Sequence, residues 1–176
     1  MILNERDSRH EEALRIARQM MVAARTAPKT RGVDILEVAL VTESNIRILA
    51  DTMRQMYEDN GMKSFLRDAD NLLSAECVVL VGTQRKPVGL NCGWCGFPEC
   101  GEKPQCVPCA FNSVDVGIAV GSACALAADL RADTRVMYSA GTAAERLGWL
   151  EDCSSVLAIP ISISSKNPFF DRKPVG

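Results

Sequence analysis

The residues best suited to chemistry are five cysteines that fall within 18 residues of sequence. They are Cys92, Cys95, Cys100, Cys106 and Cys109, with glycines and prolines between and around them. Glycine beside sulfur leaves backbone N–H groups free to approach a metal cluster, and such hydrogen bonds help to set its reduction potential. The segment lacks the apolar periodicity that would bury five free thiols in a core. These residues therefore predict a metal-binding loop.

The spacing of these cysteines admits two metals. A C-x2-C-x4-C pattern at Cys92, Cys95 and Cys100, with a distant fourth cysteine, suits a 4Fe-4S cube in which each iron takes one thiolate. Zinc is the alternative metal, because Cys92 with Cys95 and Cys106 with Cys109 form two C-x2-C pairs, although their spacer is short for a zinc ribbon. The cube leaves Cys106 over, whereas zinc leaves Cys100 over. A dithiol switch at one C-x2-C pair would leave three neighbouring cysteines unexplained. The spacing favours iron–sulfur.

The other thiols and the imidazole offer less chemistry. Cys77, Cys124 and Cys153 lie among apolar or small residues and are expected to act as small core hydrophobes. The chain has a single histidine, His10, so catalytic triads and zinc sites built on several imidazoles are hard to assemble. Any special chemistry therefore falls to the clustered cysteines.

Charge and composition exclude several classes of partner. Twenty Lys and Arg against 22 Asp and Glu give a net charge of -2, and no basic stretch follows a phosphate backbone, so nucleic acid is not expected. No uncharged run is longer than the 13 residues of 116–128, which is shorter than the roughly 20 residues that a bilayer core needs, so no membrane partner is expected. The first residues lack a basic-then-apolar signal pattern. We expect a cytoplasmic protein.

Apolar periodicity predicts four main helices. A buried stripe from Ala13 to Ala24 belongs to a helix that Pro28 ends. A second helix has Thr42 or Ser44 as its N-cap and ends near Gly61. A third covers residues 65–73, and a long helix rich in small residues covers residues 113–130.

Short runs of strand-forming residues predict four strands, at residues 35–41, 77–82, 135–139 and 156–163. Gly141 is interpreted as a turn before a short helix, and Pro160 puts the last strand at an edge or near an end. The pattern indicates one α+β domain over residues 1–176, with the cysteine-rich loop at 89–110 inserted in it.

Several segments resemble an uncharacterised family of proteins that contain a ferredoxin domain. They are NCGWCGFPEC at 91–100, CAF at 109–111, DVGIAVGSA at 115–123 and KNPFFDR at 166–172. The resemblance runs over nearly the whole chain and implies Cys92, Cys95, Cys100 and Cys109 as cluster ligands, with Cys106 an extra. It implies a 4Fe-4S ferredoxin-like protein that passes single electrons to a redox partner protein. The alternative is a zinc-stapled structural or interaction protein on an inactive scaffold.

The family is in turn similar to the flavin-dependent nitroreductases. AARTAP at 23–28, the helix from Asp115 and AIP at 158–160 carry this resemblance. It implies a sandwich of a mixed sheet and helices, an intertwined homodimer and FMN at the subunit interface, and hence a flavin-dependent oxidoreductase. The paired arginines that hold the FMN phosphate in nitroreductases have no clear counterpart before His10.

Three features bear on that implied site and dimer. Arg25, Lys29 and Arg31 lie near a helix end, where they would give charge-assisted hydrogen bonds to the FMN phosphate or form a solvated basic turn. The helix with Gly117 and Gly121 is a candidate contact between two-fold related subunits or a tightly packed core helix. The aromatic pair Phe169 and Phe170 is interpreted as an anchor of the tail on a partner subunit, or as the wall of a redox site.

Overall fold

A computed structural model describes residues 2–170 as a four-stranded sheet with helices on both faces. The helices are α1 (Glu5–Thr26), α2 (Ser44–Asn60), α3 (Lys63–Leu72), α4 (Ala110–Asp129) and α5 (Tyr138–Arg146). The strands are β1 (Leu36–Thr42), β2 (Cys77–Gln84), β3 (Asp133–Thr134) and β4 (Cys153–Ser162). A short 3-10 turn, Thr30–Gly32, follows α1.

The sheet has the order β1-β2-β4-β3, and each of its three pairings is antiparallel. Val38 pairs with Val81, and Val79 pairs with Ile159. A mixed sheet was expected. Two successive helices, α2 and α3, connect β1 to β2 and return the chain to the end of the sheet that it left, which makes these neighbours antiparallel.

Alternate residues of the buried strand β2 face two separate cores. Cys77, Val79 and Val81 pack under α1 and α4, whereas Val78 and Leu80 pack under α2, α3 and α5. Successive side chains of a strand point to opposite faces, so a strand covered on both faces is apolar throughout. This strand confirms the sequence prediction.

Local sequence features explain where α1 and α2 end, but not where α2 begins. Ala27 before Pro28 is extended (ψ 145°), as steric contact with proline requires, so α1 ends at Thr26. Gly61 ends α2 in the left-handed conformation (φ +68°). The N-cap prediction for α2 was wrong. Thr42 pairs with Cys77 in the sheet and Ser44 is already helical, so Glu43 alone makes the turn.

The predicted strand at 135–139 was also wrong. The third strand is Asp133–Thr134, only Met137 beyond it bridges to Ala158, and α5 begins at Tyr138. Gly141 lies inside α5 rather than in a turn. A Cβ on Gly141 would lie 1.9 Å from the carbonyl oxygen of Val156, so this glycine permits the close approach of α5 to β4.

Pro160 lies near the end of β4, but β4 is an inner strand. The N–H of Ala158 donates to the carbonyl of Met137 on the β3 side (3.1 Å). Because alternate residues of a strand face the same neighbour, the nitrogen of Pro160 points to that side too. The residue opposite is Arg135, which belongs to no strand, so the missing N–H breaks no ladder.

The tail up to residue 170 packs on its own chain. Phe169 is buried in the core beneath α3 and α5, and its carbonyl accepts from Asn71 Nδ2 (3.3 Å) and Arg135 Nη1 (2.8 Å). Phe170 is exposed, with the Arg135 guanidinium 5.0 Å from its ring centre. Phe169 therefore fills its own core instead of anchoring the tail on a partner. Asp171 and Arg172 of the tail motif lie outside the described residues.

Candidate metal centre

The cysteine loop, residues 85–109, joins β2 to α4 without forming a helix or strand. Cys92 and Cys106 are exposed, Cys95, Cys100 and Cys109 are half-buried, and all five are free thiols. Thiolate sulfur is the donor that iron–sulfur clusters and structural zinc prefer. The donor set therefore fits either metal by its chemistry.

The start of the loop is fixed by a backbone hydrogen bond, from the N–H of Arg85 to the carbonyl of Asp152 (3.2 Å), and by side chains from two other segments. Asn112 Nδ2 donates to the carbonyls of Gln84 (3.3 Å) and Lys86 (2.7 Å). Arg31 Nη1 donates to the carbonyl of Val88 (3.1 Å). The other end of the loop is fixed because Cys109 is the N-cap residue of α4. Movement in the loop is thus confined between two anchored ends.

A first internal contact joins Asn91 to Cys100. The N–H of Cys100 donates to Asn91 Oδ1 (2.8 Å), and the N–H of Asn91 donates to Cys100 Sγ (3.4 Å). Asn91 precedes Cys92 directly. This reciprocal pair, which we call the amide clasp, brings the segments of Cys92 and Cys100 together.

A second internal contact stacks Trp94 on Phe111, with ring centres 4.8 Å apart and an interplanar angle of 22°. Offset stacking of two aromatic rings is a favourable geometry. Trp94 lies between Cys92 and Cys95, and Phe111 lies two residues after Cys109. This aromatic clasp holds the C-x2-C pair against the beginning of α4, although Trp94 remains 68% exposed.

Cys106 belongs to neither clasp. It lies in a separate turn in which the N–H of Val107 donates to the carbonyl of Pro104 (3.0 Å). Lys103 Nζ donates to the carbonyls of the same two residues. The loop thus has two clasps near four of its cysteines and an exposed turn that carries the fifth.

The sulfurs are near one another in sequence and fold but do not yet surround a point. Among residues 2–170, no three His, Cys, Asp or Glu side chains stand in a geometry that would hold one ion. Asn112 Oδ1 is buried and has no hydrogen-bond partner in the described chain.

The three basic residues predicted for an anion site have partners in their own chain. Arg25 Nη1 donates to Asp34 Oδ1 (2.7 Å) and to the carbonyl of Leu36 (2.6 Å). Lys29 Nζ donates to the carbonyls at the end of α1, including that of Ala27 (2.9 Å). Arg31 uses Nη1 on the loop and is exposed. Within residues 2–170, Arg25 and Arg31 each use only Nη1 in these bonds, so Nε and Nη2 of both guanidinium groups have no acceptor.

The pairing of Arg25 with Asp34 also sets the charge of that carboxyl group. Burial pushes the pKa of Asp34 upward, but hydrogen bonds from Arg25 and from the N–H of Leu36 outweigh it. Together with the charges of Arg25 and Lys29, they hold the pKa of Asp34 below its ordinary value. The end of α1 therefore contains an ion pair, and Arg25 and Arg31 both remain exposed beside it.

The three cysteines outside the loop have the inert character predicted for core residues. Burial raises the pKa of the Cys77 thiol to about 12 and that of Cys153 to about 11, with nearby carboxylates adding to both shifts. Burial also raises the pKa of Cys124. Because the thiolate is the metal ligand and the nucleophile, these groups remain protonated at neutral pH and do not compete with the loop.

The sequence analysis did not predict an anchoring role for three residues, Asn91, Asn112 and Asp115. Asn112 and Asp115 stand three residues apart in a helix that is otherwise mostly apolar. Two polar residues at this spacing share one helix face, and both are buried. The spacing of Asn112 and Asp115 is thus the feature of the sequence that could have indicated these two residues.

Comparisons with known proteins identify the family and the fold. The family model described as "uncharacterized protein containing a ferredoxin domain" (DUF2148) matches residues 105–172, which include Cys106 and Cys109. An uncharacterized protein of Archaeoglobus fulgidus is 39% identical to this chain over 184 aligned residues, which cover 99% of each protein.

Among solved structures, this chain is similar to two nitroreductases crystallised with bound FMN. The protein from Desulfitobacterium hafniense gives a TM-score of 0.61 at 14% identity and covers 86% of this chain and 78% of its own. The protein from Bacteroides fragilis gives a TM-score of 0.61 at 13% identity and covers 92% and 83%. Identity this low shows the fold alone. The chain belongs to the family of uncharacterised proteins that contain a ferredoxin domain, and it has the nitroreductase-like α+β fold.

Proposed function

We propose that the cysteine loop holds a 4Fe-4S cluster through Cys92, Cys95, Cys100 and Cys109 and that the protein passes single electrons. The observation that supports this ligand set is the pair of clasps. The amide clasp joins the segments of Cys92 and Cys100, and the aromatic clasp joins the C-x2-C pair to the helix that begins beside Cys109. Cys106, on its separate turn, is left out.

The surroundings of these sulfurs suit a cluster that exchanges electrons. Gly93 and Gly96 adopt positive φ angles (+73° and +88°), which lets the backbone turn tightly around the C-x2-C pair. Peptide N–H groups in such a turn donate readily to sulfur and raise the reduction potential of a cluster. A bound cluster supplies one-electron exchange. The two stacked rings of the aromatic clasp limit the access of water to one side.

The exposed position of the loop supports transfer to another protein. Trp94 and Cys92 lie at the surface, so a docked redox partner would approach the sulfurs closely without any opening of the fold. We therefore propose a cytoplasmic electron carrier with a protein partner. In the zinc alternative the same loop would be a structural staple.

Reversible reduction tests the proposed function. Protein purified and reconstituted without oxygen is expected to accept one electron per chain from a low-potential donor and to give the EPR signal of a reduced cluster. Reoxidation should restore the visible spectrum. A metal-loaded loop that accepts no electron would leave only the structural role.

Flavin binding is a second candidate, favoured by the position of Arg31. This residue contacts the stem of the cysteine loop, residues 84–88, and its Nε and Nη2 have no acceptor among residues 2–170. Two solved structures that this chain resembles in fold contain FMN. Arg31 would give the FMN phosphate a charge-assisted contact, with Arg25 and Lys29 nearby on the same chain segment. Such a flavin would make the protein a flavin-dependent oxidoreductase, with the flavin converting between two-electron and one-electron transfer.

Calorimetric titration of the cluster-loaded protein with FMN tests this candidate. We expect binding that Arg31→Ala weakens by about tenfold, the typical order for one charge-assisted hydrogen bond. Riboflavin, which lacks the phosphate, is the control and should bind Arg31→Ala and the parent protein equally. No heat at high micromolar FMN would remove the flavoenzyme proposal.

We also propose a homodimer in which α4 packs against a second copy of the chain. One face of α4 is buried, but the other presents Val114 (44% exposed) and Ile118 (41% exposed) between small residues. A Cβ at Gly117 or Gly121 would meet nothing within 4 Å, so a second helix has room to approach. Length and composition alone would also let α4 cross a membrane, as is true of many core helices.

Light scattering tests the dimer. The protein is expected to have twice the 19.1 kDa mass of one chain at micromolar concentration. Ile118→Glu should give monomers, because a charge in an apolar contact is costly. Ile48→Glu, at a similarly exposed isoleucine on α2, is the matched control and should remain dimeric. A single-chain mass for the parent protein would contradict the proposal.

A further inference from the structure

Asn112 and Asp115 interrupt the apolar character of α4 close to its beginning. Both side chains are 2% exposed. A buried carboxylate is costly unless hydrogen bonds or a cation replace its water. In the described part of the chain no Lys or Arg pairs with Asp115, and its hydrogen bonds come from one residue, Thr30. All hydrogen bonds that this carboxylate accepts within the described residues therefore hold the turn after α1.

Both carboxylate oxygens of Asp115 accept hydrogen bonds from that turn. The N–H of Thr30 lies 3.0 Å from Oδ1 and 3.1 Å from Oδ2 of Asp115, and the Thr30 hydroxyl donates to Oδ1 at 2.8 Å. Three contacts from one residue fix its position and orientation. Since Thr30 opens the turn Thr30–Gly32, Asp115 fixes where the next residue, Arg31, begins.

Arg31 carries the connection onward to the cysteine loop. It adopts the left-handed conformation (φ +58°), which residues with a side chain rarely adopt. From there its guanidinium reaches the carbonyl of Val88. A continuous path thus runs from Asp115 through Thr30 and Arg31 to the stem of the loop.

The same stem is held a second time by α4. Gln84, Lys86 and Val88 are alternate residues of this stem, and the carbonyl of each accepts a side-chain hydrogen bond. Asn112 donates to the carbonyls of Gln84 and Lys86, and Arg31 donates to that of Val88. Displacing the stem therefore disturbs Arg31, and displacing the turn disturbs the stem.

We infer that Asp115 is a positioning residue that couples the cysteine loop to the Arg31 turn, so that metal binding in the loop orders this turn. The inference rests on the proposed function, since it needs a loop that binds metal. Coupling between two sites is reciprocal, so a fixed turn would in turn favour the metal-bound loop.

Hydrogen exchange of residues 29–33, measured with and without metal in the loop, tests this coupling. In the parent protein, cluster loading is expected to slow exchange of these amides at least about fivefold, the lower end of typical coupling between sites. Asp115→Asn, which keeps one acceptor oxygen but loses the charge and the second acceptor, should reduce the difference. Arg31→Ala should abolish it while the Thr30 amide stays protected, because its bond to Asp115 remains.

Controls separate coupling from stability. Leu72→Ala, on the opposite face of the sheet, removes buried contacts and should lower the melting temperature yet keep the full effect of metal on the turn. If Asp115→Asn does not fold, Arg31→Ala, at an exposed side chain, decides the test.

Metal content measured on each sample separates this inference from the proposed function. Samples loaded with Zn²⁺ keep the coupling testable if no cluster assembles, and that result would count against the iron–sulfur proposal alone. Equal exchange of the turn with and without bound metal in the parent protein would overturn the coupling.

Discussion

Serine in place of any one of Cys92, Cys95, Cys100 or Cys109 is expected to remove most of the iron and the broad visible absorption of the anaerobically loaded protein. Each iron of a 4Fe-4S cube takes one thiolate from the protein, so the loss of one leaves an iron without its ligand. The loss should be at least about tenfold in cluster content, in line with the cost of disturbing a metal site. Iron analysis with absorption spectra measures it.

Cys106→Ser is the matched control for this series, because it removes a thiol from the same loop. It should leave most of the cluster in place. Circular dichroism should be unchanged in all five variants, since residues 85–109 form no helix or strand. A protein that holds zinc and tolerates Cys100→Ser but not Cys106→Ser would contradict the cube and support the zinc staple.

Gly141→Ala is expected to destabilise the fold by about 3 kcal/mol or more, at the upper end of overpacking effects. The added Cβ would lie 1.9 Å from the carbonyl oxygen of Val156, which is backbone of β4 and cannot rotate away. For a domain of this size the melting temperature should fall by roughly 6–12 °C. Thermal unfolding followed by circular dichroism measures the change.

Gly101→Ala provides the comparison for this substitution. Its Cβ would meet nothing within 4 Å, so its melting temperature should match that of the parent protein. An equal melting temperature for Gly141→Ala would mean that α5 does not approach β4 as closely as described.

Local patterns predicted the elements whose formation depends on local residues. The apolar stripe of α1 and the continuous apolar run of β2 each specify their own geometry, and the end of α1 and both ends of β2 were predicted within a few residues. Gly141 shows where this reasoning ends. Glycine usually signals a turn, but here it permits a contact with Val156, a residue far away in sequence. Periodicity in a short window carries no information about such a contact.

The candidate site divides in the same way. The cysteines are visible because their type and spacing are local properties of the sequence. Their anchors are not, since Asn112 holds carbonyls up to 28 positions away and Asp115 holds Thr30 across 85 positions. Only the fold brings these partners together. The sequence thus predicts candidate ligands in the loop, whereas the contacts that hold the loop in place follow only from the fold.

Iron and acid-labile sulfide, counted per chain in protein purified without oxygen, test the proposed cluster most directly. We predict four irons and four sulfides per chain in fully loaded protein, with an EPR signal that appears on one-electron reduction. One zinc per chain with no sulfide, in protein grown with ample iron, would contradict the iron–sulfur assignment.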